Sequence, residues 1–238
     1  MNPSSTETST ALDPARVLVV IPALNEAASI RGVVEGVRNH LPHVVVIDDG
    51  STDATSAEAR AGGAEVLRSE RNEGKGGALV RGFRWALEKK MLLVLTLDAD
   101  GQHDPRDIPK FLEAYQRTGI PVLIGNRMWN PEGMPWLRRM TNRGMSRLLS
   151  ALTGRSLPDS QNGFRLYEVE LLRHLTLESR HYEAESEILL RLGRKGLRMD
   201  VVRIDPVYHA EQSKISPLLD SARFIRMLYR MYTRSGRH

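Results

Sequence analysis

Residues 91–102 read MLLVLTLDADGQ, an apolar run that ends in two carboxylates and an amide. An apolar run of this length, closed by turn-forming residues, predicts a buried strand rather than a helix. Outward from this stretch, other short apolar runs alternate with helical patterns along the first 125 residues. Strands that alternate with helices predict an α/β fold with a mostly parallel central sheet flanked by helices on both faces.

The predicted elements follow one another closely. Predicted strands cover residues 16–21, 43–47, 64–67, 91–97, 121–125, part of 159–167, and 198–204. Predicted helices cover residues 26–38, 53–61, 75–89, 108–117, 135–152, 183–195 and 217–232. No proline- or glycine-rich linker divides the chain, so we expect a single domain over residues 14–215. Residues 1–13, rich in serine and threonine, predict a disordered tail, and residues 216–238 predict a basic amphipathic C-terminal helix.

Composition excludes several classes of protein. The 238 residues include no cysteine, which excludes disulfides, thiolate metal sites and a catalytic cysteine. The formal net charge of +5 favours anionic partners. Aromatic residues make up 5% of the chain, too few for stacking on single-stranded nucleic acid, so we expect no nucleic-acid partner. No apolar run approaches the roughly 20 residues that a membrane-spanning helix needs.

Polar clusters follow three of the predicted strands: PALNE at residues 22–26, DDGSTD at 48–53 and DADGQ at 98–102. In open α/β sheets, ligands bind beyond the carboxyl ends of the strands. Carboxylates gathered at that edge would repel one another unless a cation or hydrogen-bond donors lay among them. The three clusters therefore predict a ligand site at this edge of the sheet.

The last of these clusters predicts a divalent-metal site. Asp98, Asp100 and Gln102 supply hard oxygen ligands from few residues, which suits Mg²⁺ or Mn²⁺. The alternative is a solvated turn, since aspartate and glycine favour turns. The preceding apolar strand and the other two clusters favour the metal, and His103 is expected on the surface of this loop.

Two further segments favour a nucleotide. Asp49 either accepts a hydrogen bond from a nucleobase N–H or belongs to a strand-to-helix turn, in which Asp53 has a structural role. Residues 72–77, NEGKGG, open a predicted helix, whose glycines and N-terminus would offer backbone N–H groups to phosphate. The segment matches neither a Walker loop nor a dinucleotide-binding fingerprint, because the required spacing is absent.

Taken together and in order, residues 17–26, 48–53, 72–77 and 98–102 resemble glycosyltransferase family 2. Within it, the resemblance is to the polyprenyl- and dolichyl-phosphate mannose or glucose synthases, and it runs from about residue 16 to residue 216. It implies the GT-A fold and an inverting transfer of a hexose from a nucleotide sugar, GDP-mannose or a UDP-sugar, with Mg²⁺ or Mn²⁺. It also implies a lipid acceptor, polyprenyl phosphate.

The resemblance also implies roles for single residues. The residues implied to contact the nucleoside, the base and the phosphates of the donor are Pro22, Leu24, Glu26, Asp49, Lys75, Asp98 and Ala99. Asp100 and Gln102 would bind the metal, with Asp98 beside them. Arg127 and Lys214 would stabilise the charge on the departing nucleoside diphosphate. Residues 159–165, DSQNGFR, resemble the acceptor-side loop, and Ser213 with Lys214 resembles a pair that closes over the diphosphate. Tyr208 departs from the pattern, because the mannose synthases carry an arginine there.

There are three alternatives to a glycosyltransferase with a lipid-phosphate acceptor: one other acceptor and two other functions. A hydroxyl acceptor needs a general base. Glu185 resembles the residue at the position where relatives with hydroxyl acceptors carry that base, although it could equally have only a structural role at the start of a helix. A nucleotidyltransferase would begin with a glycine-rich, arginine-bearing loop after the first strand, which residues 22–26 lack. A non-catalytic nucleotide- or membrane-binding module is the third alternative. The sugar, the base and the oligomeric state stay open.

Two basic amphipathic helices predict a peripheral protein at the inner, cytoplasmic face of the membrane. Their apolar stripes are Trp136, Leu137, Met140, Met145, Leu148 and Leu149 in one helix, and Phe224, Met227, Leu228 and Met231 in the other. The alternative is that both stripes pack on the sheet while the neighbouring arginines are solvated.

Overall fold

A computed structural model describes residues 12–131, 133–205, 207 and 217–235. Its central sheet has seven strands, in the order β3-β2-β1-β4-β6-β5-β7. Their bounds are β1 Val17–Ala23, β2 His43–Asp48, β3 Glu65–Arg68, β4 Leu93–Thr96, β5 Val122–Asn126, β6 Arg165–Glu168 and β7 Met199–Arg203. Strand β6 pairs antiparallel with β4 and β5, and the other pairs are parallel. The predicted mostly parallel sheet is confirmed.

Seven α-helices cover the sheet within the described residues. They are α1 Ile30–Arg38, α2 Thr55–Ala61, α3 Gly74–Glu88, α4 Ile108–Thr118, α5 Trp136–Thr153, α6 Glu183–Arg194 and α7 Pro217–Ser235. Strand side chains alternate between two faces, so Val19 and Ile21 join a core with α1 and α4, while Leu18 and Val20 join a second core with α3, α6 and α7. The sheet is therefore buried on both faces, as its near-continuous apolar strands predict.

Helix α1 begins later than its sequence pattern predicts. The prediction starts at Glu26, whereas the helix starts at Ile30. Asn25 adopts a φ of 54°, and the N–H of Glu26 donates to the Thr55 hydroxyl at 2.8 Å. The Ser29 hydroxyl donates to the Ala99 carbonyl at 2.7 Å. These long-range hydrogen bonds hold residues 25–29 at the sheet edge, and the helix forms only beyond them.

The two amphipathic helices differ in what their apolar residues contact. In α7 the predicted stripe packs on the protein, because Phe224, Met227 and Leu228 complete the second core. The prediction that this stripe faces a membrane is therefore wrong. In α5, Leu149 is buried, whereas Trp136 and Met140 are 75% and 58% exposed. Within the described residues, no helix combines the length and apolar character needed to cross a bilayer.

Candidate active site

A pocket of about 230 Å³ lies beyond the carboxyl ends of β1, β2 and β4. Ten of the residues singled out from the sequence line it, namely Pro22, Leu24, Glu26, Asp49, Lys75, Asp98, Ala99, Asp100, Gln102 and Arg127. They come from separate stretches of chain, which the strands bring to one edge. The edge of the sheet at which a ligand was predicted therefore contains a cavity.

The first two strand ends interlock beneath the pocket. The N–H of Asn25 donates to the Ser51 hydroxyl at 3.0 Å, and the N–H of Ser51 donates to Asp48 Oδ1 at 2.8 Å. Asp53 accepts the N–H of Thr55 at 3.0 Å at the start of α2, so its predicted structural role is confirmed. Fixed strand ends give the pocket a rigid wall.

Asp49 holds the start of α3. Its two oxygens accept the N–H groups of Glu73 at 2.8 Å and Gly74 at 2.7 Å, and burial raises the pKa of this carboxyl. The N–H of Gly76 donates to the Arg180 carbonyl at 3.0 Å. These backbone donors therefore already have partners within the protein, which corrects the prediction that the glycine-rich segment offers free N–H groups to phosphate.

Lys75 joins two carboxylates at the pocket wall. Its Nζ donates to Asp98 Oδ1 at 2.6 Å and lies 2.8 Å from Glu185 Oε1. Burial opposes the charged ammonium, but the charges of Asp98 and Glu185 outweigh it and raise the pKa of Lys75. Burial likewise opposes ionisation of Asp98, yet Lys75 holds the pKa of Asp98 well below its usual range. Lys75 and Asp98 are therefore both charged at neutral pH.

His103 supports the turn that carries Asp98 and Asp100. It is only 2% exposed, its Nδ1 accepts the N–H of Asp98 at 3.2 Å, and its ring packs on Phe164. Burial lowers the pKa of His103, so the imidazole is neutral at physiological pH. The prediction of a surface histidine is wrong, because this ring fills the space beneath the turn, which its polar neighbours along the chain do not indicate.

Asp100 fits one position of a divalent-metal site. Burial, followed by the charge of Asp98, raises the pKa of Asp100, and a bound cation would offset both effects. Gln102 lines the pocket beside it. Within the described residues, no group of three or more His, Asp or Glu side chains is arranged to hold a metal ion. A cation at Asp100 would therefore need ligands beyond these side chains.

Arg127 reaches the pocket from the end of β5 and is fixed by Asp159. Its Nε and a terminal nitrogen donate to the two Asp159 oxygens at 2.9 and 3.1 Å, and Asn142 donates to Asp159 at 2.7 Å. Although burial opposes it, the Arg127 guanidinium lowers the pKa of Asp159. The loop predicted to lie on the acceptor side thus orients an arginine at the pocket.

The other pocket residues were not assigned singly from the sequence. Ala23, Asn72, Gly74 and Gln161 belong to segments singled out above, whereas Ala78, Arg138, His181 and Tyr182 belong to none of them. Arg138 belongs to α5, and His181 and Tyr182 belong to the segment before α6, so none of these three directly follows a strand end. Glu185 is buried behind Lys75 and does not line this pocket. Lys214, with Ser213 and Tyr208, lies outside the described residues.

The family model for glycosyl transferase family 2 matches residues 18–176. The chain belongs to this family and is a glycosyltransferase. It is 33% identical to an undecaprenyl-phosphate mannosyltransferase of Micrococcus luteus, over 79% of this chain and 82% of the relative. It is 30% identical to a UDP-N-acetylglucosamine–dolichyl-phosphate N-acetylglucosaminyltransferase of Methanococcus voltae, over 81% of this chain and 86% of the relative.

Solved structures agree with the fold. Glucosyl-3-phosphoglycerate synthase from Mycobacterium tuberculosis, in complex with phosphoglyceric acid, superposes with a TM-score of 0.71 at 25% identity. That similarity covers 89% of this chain and 78% of the solved chain. The same enzyme with Mn²⁺, uridine diphosphate and phosphoglyceric acid gives a TM-score of 0.70 at 25% identity, over 89% of this chain and 76% of the solved chain. The GT-A fold implied by the sequence is therefore confirmed.

Proposed function

We propose that this enzyme transfers a hexose from a nucleotide sugar to a lipid-borne phosphate, polyprenyl phosphate, with inversion and with a divalent cation. The observation that supports the lipid acceptor is the position of Arg138. This arginine lines the pocket from α5, while its helix neighbours Trp136 and Met140 are exposed apolar side chains. The first turns of α5 therefore carry both a pocket residue and exposed apolar side chains suited to an isoprenoid chain. The two relatives named above by sequence are an undecaprenyl-phosphate mannosyltransferase and a dolichyl-phosphate N-acetylglucosaminyltransferase.

On the donor side, we assign the nucleoside to a wall formed by Pro22, Leu24, Glu26, Asp98 and Ala99. Asp49 keeps acceptor capacity beyond the two N–H groups it holds, since a carboxylate has about four lone-pair sites. It is the candidate for reading a base N–H. Lys75 lies at the boundary between this wall and the position assigned to the phosphates.

The leaving nucleoside diphosphate carries the charge that the site must stabilise. Asp100 and Gln102 would hold Mg²⁺ or Mn²⁺, and the bound cation would supply Lewis-acid stabilisation of the departing diphosphate. Arg127 presents a preorganised guanidinium beside it, fixed by Asp159. Such fixed charges need no reorganisation during the reaction, which is why they favour the transition state. We assign Lys214 to stabilisation of the same diphosphate charge, because Ser213 and Lys214 resemble the family pattern.

A phosphate acceptor is also consistent with the ion pair between Glu185, the candidate base, and Lys75. A phosphate monoester is anionic at neutral pH, so its oxygen can attack the anomeric carbon without losing a proton first. A hydroxyl acceptor would need a carboxylate within reach. Glu185 is paired with Lys75 and lies outside the pocket lining. We therefore favour the phosphate acceptor over the hydroxyl alternative.

The acceptor assignment predicts a lipid-linked product. The purified protein is incubated with Mg²⁺ or Mn²⁺, a radiolabelled sugar donor (GDP-mannose, UDP-glucose or UDP-N-acetylglucosamine) and undecaprenyl phosphate in detergent. We expect label in the organic phase with at least one donor. Undecaprenol, which lacks the phosphate, is the matched control and should accept none. Transfer to undecaprenol or to phosphoglyceric acid, with none to the lipid phosphate, would contradict the proposal.

A lipid acceptor also predicts peripheral binding at the cytoplasmic membrane face through the exposed turn of α5. Trp136→Glu and Met140→Glu should each reduce co-sedimentation with anionic vesicles at low salt. Salt should weaken binding of the unaltered protein, because each arginine near an anionic surface contributes about 1 kcal/mol that ions screen. Ile225→Glu, at an exposed apolar position of α7, is the control and should bind normally.

Two results would count against this interpretation. Equal recovery of every variant in the supernatant, at all salt concentrations, would remove the membrane assignment. Loss of binding in Ile225→Glu alone would move the contact surface to α7. Point variants are preferable to deletion of residues 217–238, because Phe224 and Met227 of that helix belong to the core.

A further inference from the structure

Glu185 is a buried carboxylate near the pocket whose task the proposed reaction leaves unassigned. Its side chain is 5% exposed, and its Oε1 lies 2.8 Å from Lys75 Nζ. Arg165 also donates to the backbone carbonyl of Glu185 at 2.6 Å, which fixes the first turn of α6. The carboxylate therefore contacts Lys75 without lining the pocket.

Two glycines bring Lys75 to this position. A Cβ on Gly74 would lie 2.2 Å from the Arg180 carbonyl oxygen, and a Cβ on Gly76 would lie 2.1 Å from that of Ser179. Only glycine allows both approaches, so the start of α3 lies directly against the segment that leads into α6. Lys75, between the two glycines, has its backbone fixed relative to Glu185.

A third glycine closes the other side of the cluster. A Cβ on Gly163 would lie 2.7 Å from both Asp98 Oδ1 and Glu185 Oε1. The backbone of the loop at residues 159–165 therefore covers the two carboxylates without space for a further side chain. The Lys75 ammonium is enclosed by Asp98, Glu185 and the Tyr182 ring, whose centroid is 5.3 Å away.

We infer that Glu185 is a positioning residue that acts through Lys75, and not the base of the reaction. Two carboxylates together hold the ammonium at the pocket wall, where the donor enters. With Asp98 alone, the flexible lysine stem would let Nζ follow that one carboxylate, and its charge would no longer be fixed for the donor. This inference rests on the part of the proposed function that places the nucleotide sugar beside Lys75.

A double-mutant cycle on donor binding tests it. Calorimetry with the nucleotide sugar that the transfer assay selects, without acceptor, compares the unaltered protein with Glu185→Gln, Lys75→Met and the double variant. We expect Glu185→Gln to weaken binding about tenfold, the size of effect that coupled neighbours commonly show. In the Lys75→Met background the same change should have almost no further effect. Additive losses would overturn the inference.

Turnover with the acceptor distinguishes positioning from base catalysis. A positioning role predicts a raised donor KM, a kcat within about threefold of normal and an unchanged pH profile. A base role predicts a kcat lower by roughly 100-fold or more, with donor KM unchanged and the acidic limb of the pH profile lost, because that limb reports protonation of the base; that result would also overturn the inference. Glu183→Gln, on the same helical turn, is the control and should leave donor binding unchanged.

Two precautions keep the cycle decisive. If Glu185→Gln fails to fold, as judged by thermal unfolding, Glu185→Asp repeats the cycle with a shorter carboxylate and should again lose its effect in the Lys75→Met background. Because the cycle contains no acceptor, failure of the lipid-phosphate assay would leave its outcome unaffected, and UDP-glucose, GDP-mannose and UDP-N-acetylglucosamine would then be titrated in turn. An additive cycle would leave the acceptor assignment unaffected.

Discussion

Asp100→Asn is expected to lower the rate of sugar transfer by at least about 100-fold, the usual cost of losing a preorganised charge at the reacting centre. The substitution removes the carboxylate assigned to the cation and keeps the shape of the side chain. The fold should persist, because the folded protein disfavours the ionised form of Asp100, whose pKa is raised by burial and by Asp98. Without metal, the melting temperature should therefore be unchanged or higher.

The measurement pairs transfer rates at increasing Mn²⁺ with thermal unfolding of the same samples. Asp104→Asn, in the same loop but outside the pocket lining, is the control and should remain active. Asp49→Ala should behave differently from Asp100→Asn, because it should weaken nucleotide binding even without metal. Full activity of Asp100→Asn in the presence of a chelator would contradict both the metal site and the role of this carboxylate.

Asp159→Asn is expected to lower the free energy of unfolding by about 3–5 kcal/mol, because it leaves the buried Arg127 guanidinium without this carboxylate. The pKa of Asp159 is lower in the folded protein than its ordinary value, owing to Arg127. Its contribution is therefore complete above the ordinary carboxylate pKa and is lost as the pH falls through the lowered value. The difference between the two proteins should be full at pH 7 and shrink in strong acid.

Urea unfolding at neutral and acidic pH measures this difference. Glu170→Gln is the control, because Glu170 pairs with Arg173 at the surface, where both side chains are exposed, and its loss should leave stability unchanged. A loss below about 1 kcal/mol for Asp159→Asn, the range of exposed pairs, would mean that Arg127 is not held by this carboxylate alone.

The parallel half of the sheet was predictable because each strand there is a short apolar run that ends in polar residues. The same regularity is enough to predict that Asp49, Asp98 and Asp100 meet at one edge. What was missed depends on contacts across the chain. Arg138 reaches the pocket from α5 and Tyr182 from the turn before α6, and local pattern carries no information about which remote strand end they approach.

The glycine-rich segment at residues 72–77 was correctly predicted to border the pocket, but the role predicted for its glycines was wrong. Its glycines suggested free N–H groups for phosphate, yet the protein uses those N–H groups internally. Gly74 and Gly76 are required by the carbonyls of residues 179 and 180, more than 100 residues later in the chain. Such a tight approach is a property of tertiary packing, which no window of local sequence contains.

The position of β6 has a consequence for the order in which the protein can be completed during synthesis. Strand β6 lies between β4 and β5, although it follows both in the chain. The edge of β4 that faces β6 therefore has no strand partner until the ribosome has made residues 165–168. Exposed strand edges are where chains pair wrongly, so this edge is a vulnerable point of the nascent chain. Asp98 and Arg127 follow strands on opposite sides of β6, so the two sides of the pocket come together only when this late strand is inserted.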